Sequence, residues 1–275
     1  MKSTILNMFK QDLENKKVAI WGLGKEGIST LQFIQNNNIK CNELGILDQK
    51  ELPKIEGTKK ISRPEELNEY DLIFKSPGIV ADRAIIDINK LTSQTEEFIK
   101  ILASQIIGIT GTKGKSTTSS LTYTILKKYY PNTVLVGNIG IPCFNVINEI
   151  NEDTKIVFEL SCHQLEFIRY SPHIAAILDL YPDHLDHYKT FENYINAKLN
   201  INKFQKDDDI LIYGETCKKY IHSKIKIPHP SFHPSAVFPI SNHIYVGDGV
   251  LDVPQSPNCP YPFCIFLLSS QPYLS

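Results

Sequence analysis

Five short stretches of this 275-residue chain hold residue types that could do chemistry. Residues 108–120 read GITGTKGKSTTSS. Gly114-Lys115-Ser116 fits the end of the phosphate-loop pattern G-x-x-x-x-G-K-[ST], but Ile109 stands where that pattern needs its first glycine. The glycines fall at 108, 111 and 114 instead. Spacing of three still lets a backbone curl around phosphate oxygens where any Cβ would intrude. Lys115 would bring a cation to the terminal phosphates and Ser116 a hydroxyl to Mg²⁺. Thr117 and Thr118 are read as caps of a helix that starts there and points its N-terminus at the anion.

The second stretch, GLGKEG at 22–27, is a literal G-x-G-x-x-G, with Asp48 about 20 residues further on. It calls for an anion at a helix N-terminus and a carboxylate for a sugar hydroxyl, without specifying a nicotinamide. The third, KIVFELS, ends an apolar run on Glu159, a position suited to a metal contact beside a phosphate loop. The fourth, DLYPDHLDHY at 179–188, gathers Asp179, Asp183, His184, Asp186 and His187, carboxylate and imidazole types suited to a divalent ion near phosphates. Zinc there would need a further ligand pair that the sequence does not offer. The fifth is Lys198 in YINAKLN, which on its own reads as a solvated helix residue.

The elements that must position these residues alternate between strand and helix patterns. KKVAIWGLG, ELGILD and DLIFKSPGI read as strands, with a helix over ISTLQFIQNN. A second unit repeats the scheme. SQIIGITG leads into the helix KSTTSSLTYTILKKYY, followed by the strands NTVLVGN, TKIVFELS, HIAAILDL and DDDILIYG, and TFENYINAKLNINKFQ reads as a helix. The fold class expected is α/β: a Rossmann-like N-terminal domain, then a P-loop-type ATPase domain around a mostly parallel sheet. Domain limits are expected at 1–95 and 96–254. The N-terminal MKSTILNMFKQDLENKK reads as a polar helix without signal-peptide features. Nine of the sixteen prolines lie between Pro228 and Pro272, and residues 255–275 lack periodicity, so an irregular tail is expected there.

Composition excludes several function classes. A net charge of −1 gives no reason to expect a nucleic-acid or membrane partner, and no apolar run nears the roughly 20 residues of a bilayer span. Six cysteines without a C-x-x-C pair argue against a metal cluster or disulfide scaffold and for a cytoplasmic setting.

Taken in order, GITGTKGKSTT, VLVGNIGIP, FELSCHQLE, PDHLDHY and NAKLN resemble the Mur ligases of peptidoglycan synthesis, nearest the branch that adds glutamate to UDP-N-acetylmuramoyl-L-alanine. The likeness covers roughly residues 16–215, and G-x-x-G-x-x-G-K-[ST]-T is that family's own loop. It implies ATP contacts from Gly111, Thr112, Lys113, Gly114, Lys115, Ser116 and Thr117. It implies Mg²⁺ held by Ser116, Glu159, His184 and a CO₂-carbamylated Lys198, with Lys115, His184 and Lys198 as the catalytic set. Gly22, Gly24, Lys25, Glu26, Gly27, Asp48, Ser76, Gly78, Asn138 and Ser161 would hold the UDP-linked substrate. The chemistry implied is transfer of the γ-phosphoryl group to a carboxylate, then attack by an amino group on the acyl phosphate. The expected protein is a monomer acting on small molecules: ATP, the nucleotide-linked substrate and glutamate.

Two departures shape the expectation. The family's third domain, which captures the amino acid, has no counterpart here, and its linker signature is not found in FHPSAVFPISNHIYVGDG. The reading is therefore a truncated ligase, inactive alone, with the choice of D- or L-glutamate left open. The alternatives are a nucleotide-binding subunit completed by a partner and, more remotely, an NAD-dependent dehydrogenase.

Overall fold

A computed structural model describes residues 2–50, 53–221, 227–228, 243–246 and 249–252. Residues 1–227 form one compact unit. The chain opens with helix α1 (Lys2–Leu13), strand β1 (Lys17–Trp21), helix α2 (Lys25–Asn36) and strand β2 (Glu43–Leu47). Strands β3 (Lys59–Lys60), β4 (Leu72–Lys75) and β5 (Leu91–Thr92) complete a five-stranded sheet. Its order is β3-β2-β1-β4-β5 and every pairing is parallel. KVAIW and ELGIL are apolar runs because a parallel strand inside such a sheet is covered on both faces.

Helix α3 (Gln94–Leu102) then leads to strand β6 (Ile106–Thr110), where a second sheet begins. Next come helix α4 (Lys115–Tyr129), strands β7 (Thr133–Gly137) and β8 (Lys155–Glu159), and the short helix α5 (Cys162–Leu165). Strand β9 (Ile174–Ile177), helices α6 (Leu185–Tyr188) and α7 (Phe191–Lys203), and strands β10 (Ile210–Tyr213) and β11 (Ile227–Pro228) follow. The order is β11-β10-β9-β6-β8-β7, with β6 parallel to both β8 and β9. The loop after β6 thus opens at the carboxyl edge of the sheet, between the ends of β8 and β9, where ligands of open α/β sheets bind.

The N-terminal helix is amphipathic rather than polar. Ile5, Phe9 and Leu13, four residues apart, form a buried stripe. The Phe9 ring packs against Phe33 of α2, Phe98 of α3 and Phe144 of the 3₁₀ turn Cys143–Glu149. Phe98 in turn meets Phe158 of β8 edge-on. One apolar cluster therefore runs from the first sheet's helices into the second sheet.

Separately, strands β12 (His243–Val246) and β13 (Gly249–Asp252) pair as an antiparallel hairpin. The irregular tail expected at 255–275 lies outside the described residues. Among those described, Cys41, Cys143, Cys162 and Cys217 are free thiols, and no helix is long and apolar enough to cross a membrane.

Candidate functional site

The loop after β6 is shaped by its glycines. Gly111 has φ +155°, and a Cβ there would lie 2.6 Å from Leu178 Cβ. Gly114, with φ +80°, is the N-cap of α4. Thr117 and Thr118 therefore do not cap this helix. They lie within its first turn, because a left-handed glycine makes the turn without a side-chain acceptor. Lys115 folds back over the loop, its Nζ donating to the Gly111 and Thr112 carbonyls at 3.0 Å each. Thr112 ties the loop to β9's end: its N–H donates to the Asp179 carbonyl, and its Oγ1 accepts from Tyr181 N.

Lys198 is not a solvated helix residue. It faces inward from α7 with 1% exposure, and its Nζ donates to the Gly111 carbonyl at 2.8 Å and lies 4.9 Å from the Tyr194 ring centre. Burial, opposed by Cys162 and reinforced by Lys115, lowers its pKa to about 8. Tyr194, one turn earlier on α7, also reaches the loop through its hydroxyl, 3.0 Å from Thr112 Oγ1. The sequence reading missed Tyr194. Its spacing of four from Lys198 was the available signal.

Glu159, at the tip of β8, is fully buried. Its Oε1 accepts from Asn138 Nδ2 at 2.8 Å, the Asn138 N–H donates to the Glu159 carbonyl, and Oε2 has no hydrogen-bond partner. A buried carboxylate oxygen without a donor is an acceptor suited to a cation. Ser161, two residues on, caps α5 in a reciprocal box with Gln164. His184 sits left-handed at φ 50°, half exposed, with its ring 5.0 Å from that of His163. His163 also packs 4.6 Å from His187, which pairs with Glu166 at 3.3 Å. Burial, with these imidazoles and two lysines, lowers the His163 pKa to about 4, so its ring is neutral near pH 7. His163 and Gln164 lie in FELSCHQLE, one of the stretches that carry the resemblance, but neither was singled out from sequence as a site residue.

Among the described residues, no three His, Cys, Asp or Glu side chains assemble as a metal cage. Zinc, which takes three or four such ligands, has no such set among them. Mg²⁺ fits better, since it keeps its waters and shares itself between one or two carboxylates and a ligand's phosphates. Glu159 Oε2, buried without a donor, is an acceptor of the type such an ion takes.

At the first sheet, the three glycines of GLGKEG divide by role. A Cβ on Gly27 would collide with the Gly22 carbonyl, so this position is closed by packing, whereas Gly24 and Gly78 have nothing within 4 Å of theirs. Both of these glycines are exposed and face open space. Ser76 donates to the Gly22 carbonyl at 2.7 Å and joins the two turns. Lys25 is exposed, and Lys113 is exposed on the second loop. Asp48 accepts from Leu23 N at 2.6 Å and from Lys50 N at 2.8 Å, so both its oxygens already bond to backbone around the turn. Glu26 turns into the junction between the sheets, where its Oε1 accepts from Gln164 Nε2 at 2.7 Å.

Residues 109–244 match the model of the Mur ligase middle domain. The chain is 35% identical over 226 residues to the UDP-N-acetylmuramoylalanine–D-glutamate ligase of Clostridium tetani, covering 77% of this chain and 49% of that protein. It is 37% identical over 233 residues to the Clostridium botulinum (strain Loch Maree) protein of the same name, covering 78% and 50%. A Neisseria UDP-N-acetylmuramate:L-alanyl-gamma-D-glutamyl-meso-diaminopimelate ligase overlays with a TM-score of 0.47 at 16% identity, covering 74% of this chain and 75% of that one. The chain spans about half the length of the curated relatives it matches.

Proposed function

Because the chain belongs to the Mur ligase family, we propose that it serves the ATP-dependent ligation of D-glutamate to UDP-N-acetylmuramoyl-L-alanine. The first sheet takes the UDP-linked substrate at the Gly24 and Gly78 turns, and the loop after β6 takes ATP. The D configuration follows the names of the relatives. No described residue is assigned to the incoming amino acid. Cytoplasmic placement agrees with the free thiols of the described cysteines.

The observation that carries this reading is the burial of Lys198 against the Gly111 carbonyl beside Lys115. A buried cation that gives up its proton near neutral pH can add CO₂ as the free amine, forming an N–C bond, releasing H⁺ and gaining a negative charge. That carbamate, with Glu159, His184 and Ser116, would hold Mg²⁺. The ion, when bound, supplies charge neutralisation for phosphoryl transfer. Lys115 neutralises charge developing on the same phosphoryl group, and the amides at the start of α4 orient it. Asn138, bonded twice to Glu159, keeps that carboxylate aimed. Asn138 and Ser161 also line the path along which the muramoyl part would run from the first sheet toward the loop.

Calorimetry with Mg-ATP, and separately with UDP-N-acetylmuramoyl-L-alanine, tests the assignment. The chain binds both, and Lys115→Ala weakens Mg-ATP by more than about tenfold while sparing the nucleotide-sugar. A wild-type chain that binds neither ligand overturns it.

A further inference from the structure

Glu26 occupies an unusual place. It is the second residue of α2, inside the G-x-G-x-x-G turn, where amides and the helix N-terminus favour an anion. Its own carboxyl is a competing negative charge. The side chain does not turn out to solvent to avoid the conflict. Oε1 accepts from Gln164, and Oε2 is buried with no hydrogen-bond partner.

The surroundings do little to hold its charge. Lys75, at the end of β4, is the nearby cation, but it spends its Nζ on the Ile79 carbonyl at 2.6 Å and the Ser76 carbonyl at 3.3 Å. Lys75 also faces a second carboxylate, Glu166. The Cys143 thiol, on the turn after β7, is a further titratable group facing Glu26, and its own ionisation is strongly disfavoured by burial. From α3, Gln94 donates to the Glu26 backbone carbonyl and leaves the carboxyl alone. Gln164 of α5 is neutral. On the turn itself, Asp48 is engaged with Leu23 N, and Lys25 is exposed.

We infer that Glu26 makes anion binding at this turn proton-linked, admitting a diphosphate when its carboxyl is neutral and opposing it when ionised. This rests on reading the turn as the site of the UDP-linked substrate. Burial, only partly offset by the Gln164 hydrogen bond and Lys75, raises the Glu26 pKa to about 7, so the change of state falls within the working range of a neutral cell. An arriving diphosphate favours the neutral form further, and binding above that pH therefore takes up a proton. Affinity is greatest below pH ~7 and falls by up to about tenfold for each pH unit above it.

The test is calorimetric titration of the full chain with UDP-N-acetylglucosamine from about pH 6 to pH 8.5. This ligand is chosen because its diphosphate is esterified at both ends and lacks the terminal phosphate ionisation near pH 6. The wild-type Kd rises at least about fivefold across the range, and repeating the titration near pH 7.5 in buffers of different ionisation enthalpy gives net proton uptake. Glu26→Gln, whatever its absolute affinity, shows a flat profile and no uptake. Should that variant fail to fold, the wild-type proton uptake still decides the matter. A flat wild-type profile without uptake, or an equal slope in the folded Glu26→Gln protein, overturns the inference. Absence of binding at every pH overturns the nucleotide-sugar reading as well, and weak but pH-independent binding overturns the inference alone.

Discussion

Lys115 and Lys198 donate to the same backbone oxygen, the Gly111 carbonyl, at 3.0 and 2.8 Å. One lysine begins α4 and the other lies on α7, so two cations 83 positions apart in the sequence converge on one oxygen. Burial lowers the Lys198 pKa, and the neighbouring Lys115 charge adds to that effect. In the proposed function, Lys115 is the cation for phosphate and Lys198 the amine that is modified.

Lys198 should therefore react reversibly with CO₂. With ¹³C-bicarbonate near pH 8, the wild-type chain gives a carbamate ¹³C signal that Lys198→Arg lacks, since a guanidinium stays protonated. An unchanged signal in Lys198→Arg would assign the carbamate elsewhere.

Glu159 should make ATP binding depend on Mg²⁺. Thermal unfolding with ATP is expected to shift upward when Mg²⁺ is added to the wild-type chain, by the mass-action stabilisation of a bound ligand. Glu159→Ala removes most of that added shift and leaves the response to ATP without metal nearly intact.

Gly111→Ala should be costly twice over. The new Cβ would meet Leu178 at 2.6 Å from a backbone at φ +155° that L side chains rarely adopt. Denaturant unfolding is expected to show a loss of about 1–3 kcal/mol. Nucleotide affinity falls with it, because both lysines lose the geometry of their shared acceptor.

Stability should also decline with pH because of Glu26. Its folded pKa, about 7, lies above the ordinary value of 4.5, so between these limits the folded chain keeps a proton that the unfolded chain has released. The contribution is fully present below pH 4.5 and is lost as pH rises through 7, on the order of 3 kcal/mol in all. Urea unfolding of Glu26→Gln, compared with wild type between pH 5 and pH 8, should show the variant gaining relative stability as pH rises. A constant difference would remove Glu26 as the source.

The strands and the main helices were legible in the sequence. Covered parallel strands such as KVAIW and KIVFE must be apolar throughout, and the glycines that follow β1 and β6 mark the turns into helices. The short strands β3 and β5 were not legible, since two residues carry no period. Helix α1 was misread as polar because its three buried residues are diluted among charged and amide side chains. Thr117 and Thr118 fit a cap by type, but the cap position had already passed at Gly114.

By itself the sequence determined the two loops, their order along an α/β chain, and the residue types able to meet phosphate and metal. Those properties are local: glycine spacing, a lysine after a turn, a carboxylate at a strand tip. Burial and approach are not local, and only the tertiary structure decided them. Packing of α7 across the end of β6 turns Lys198 from a helix-surface residue into a desolvated amine against Gly111. Packing of α5 against the first turn of α2 leaves Glu26 with a buried, half-satisfied carboxyl rather than a solvated one. In both cases water is replaced by fixed neighbours, and those neighbours set which charge each residue can carry.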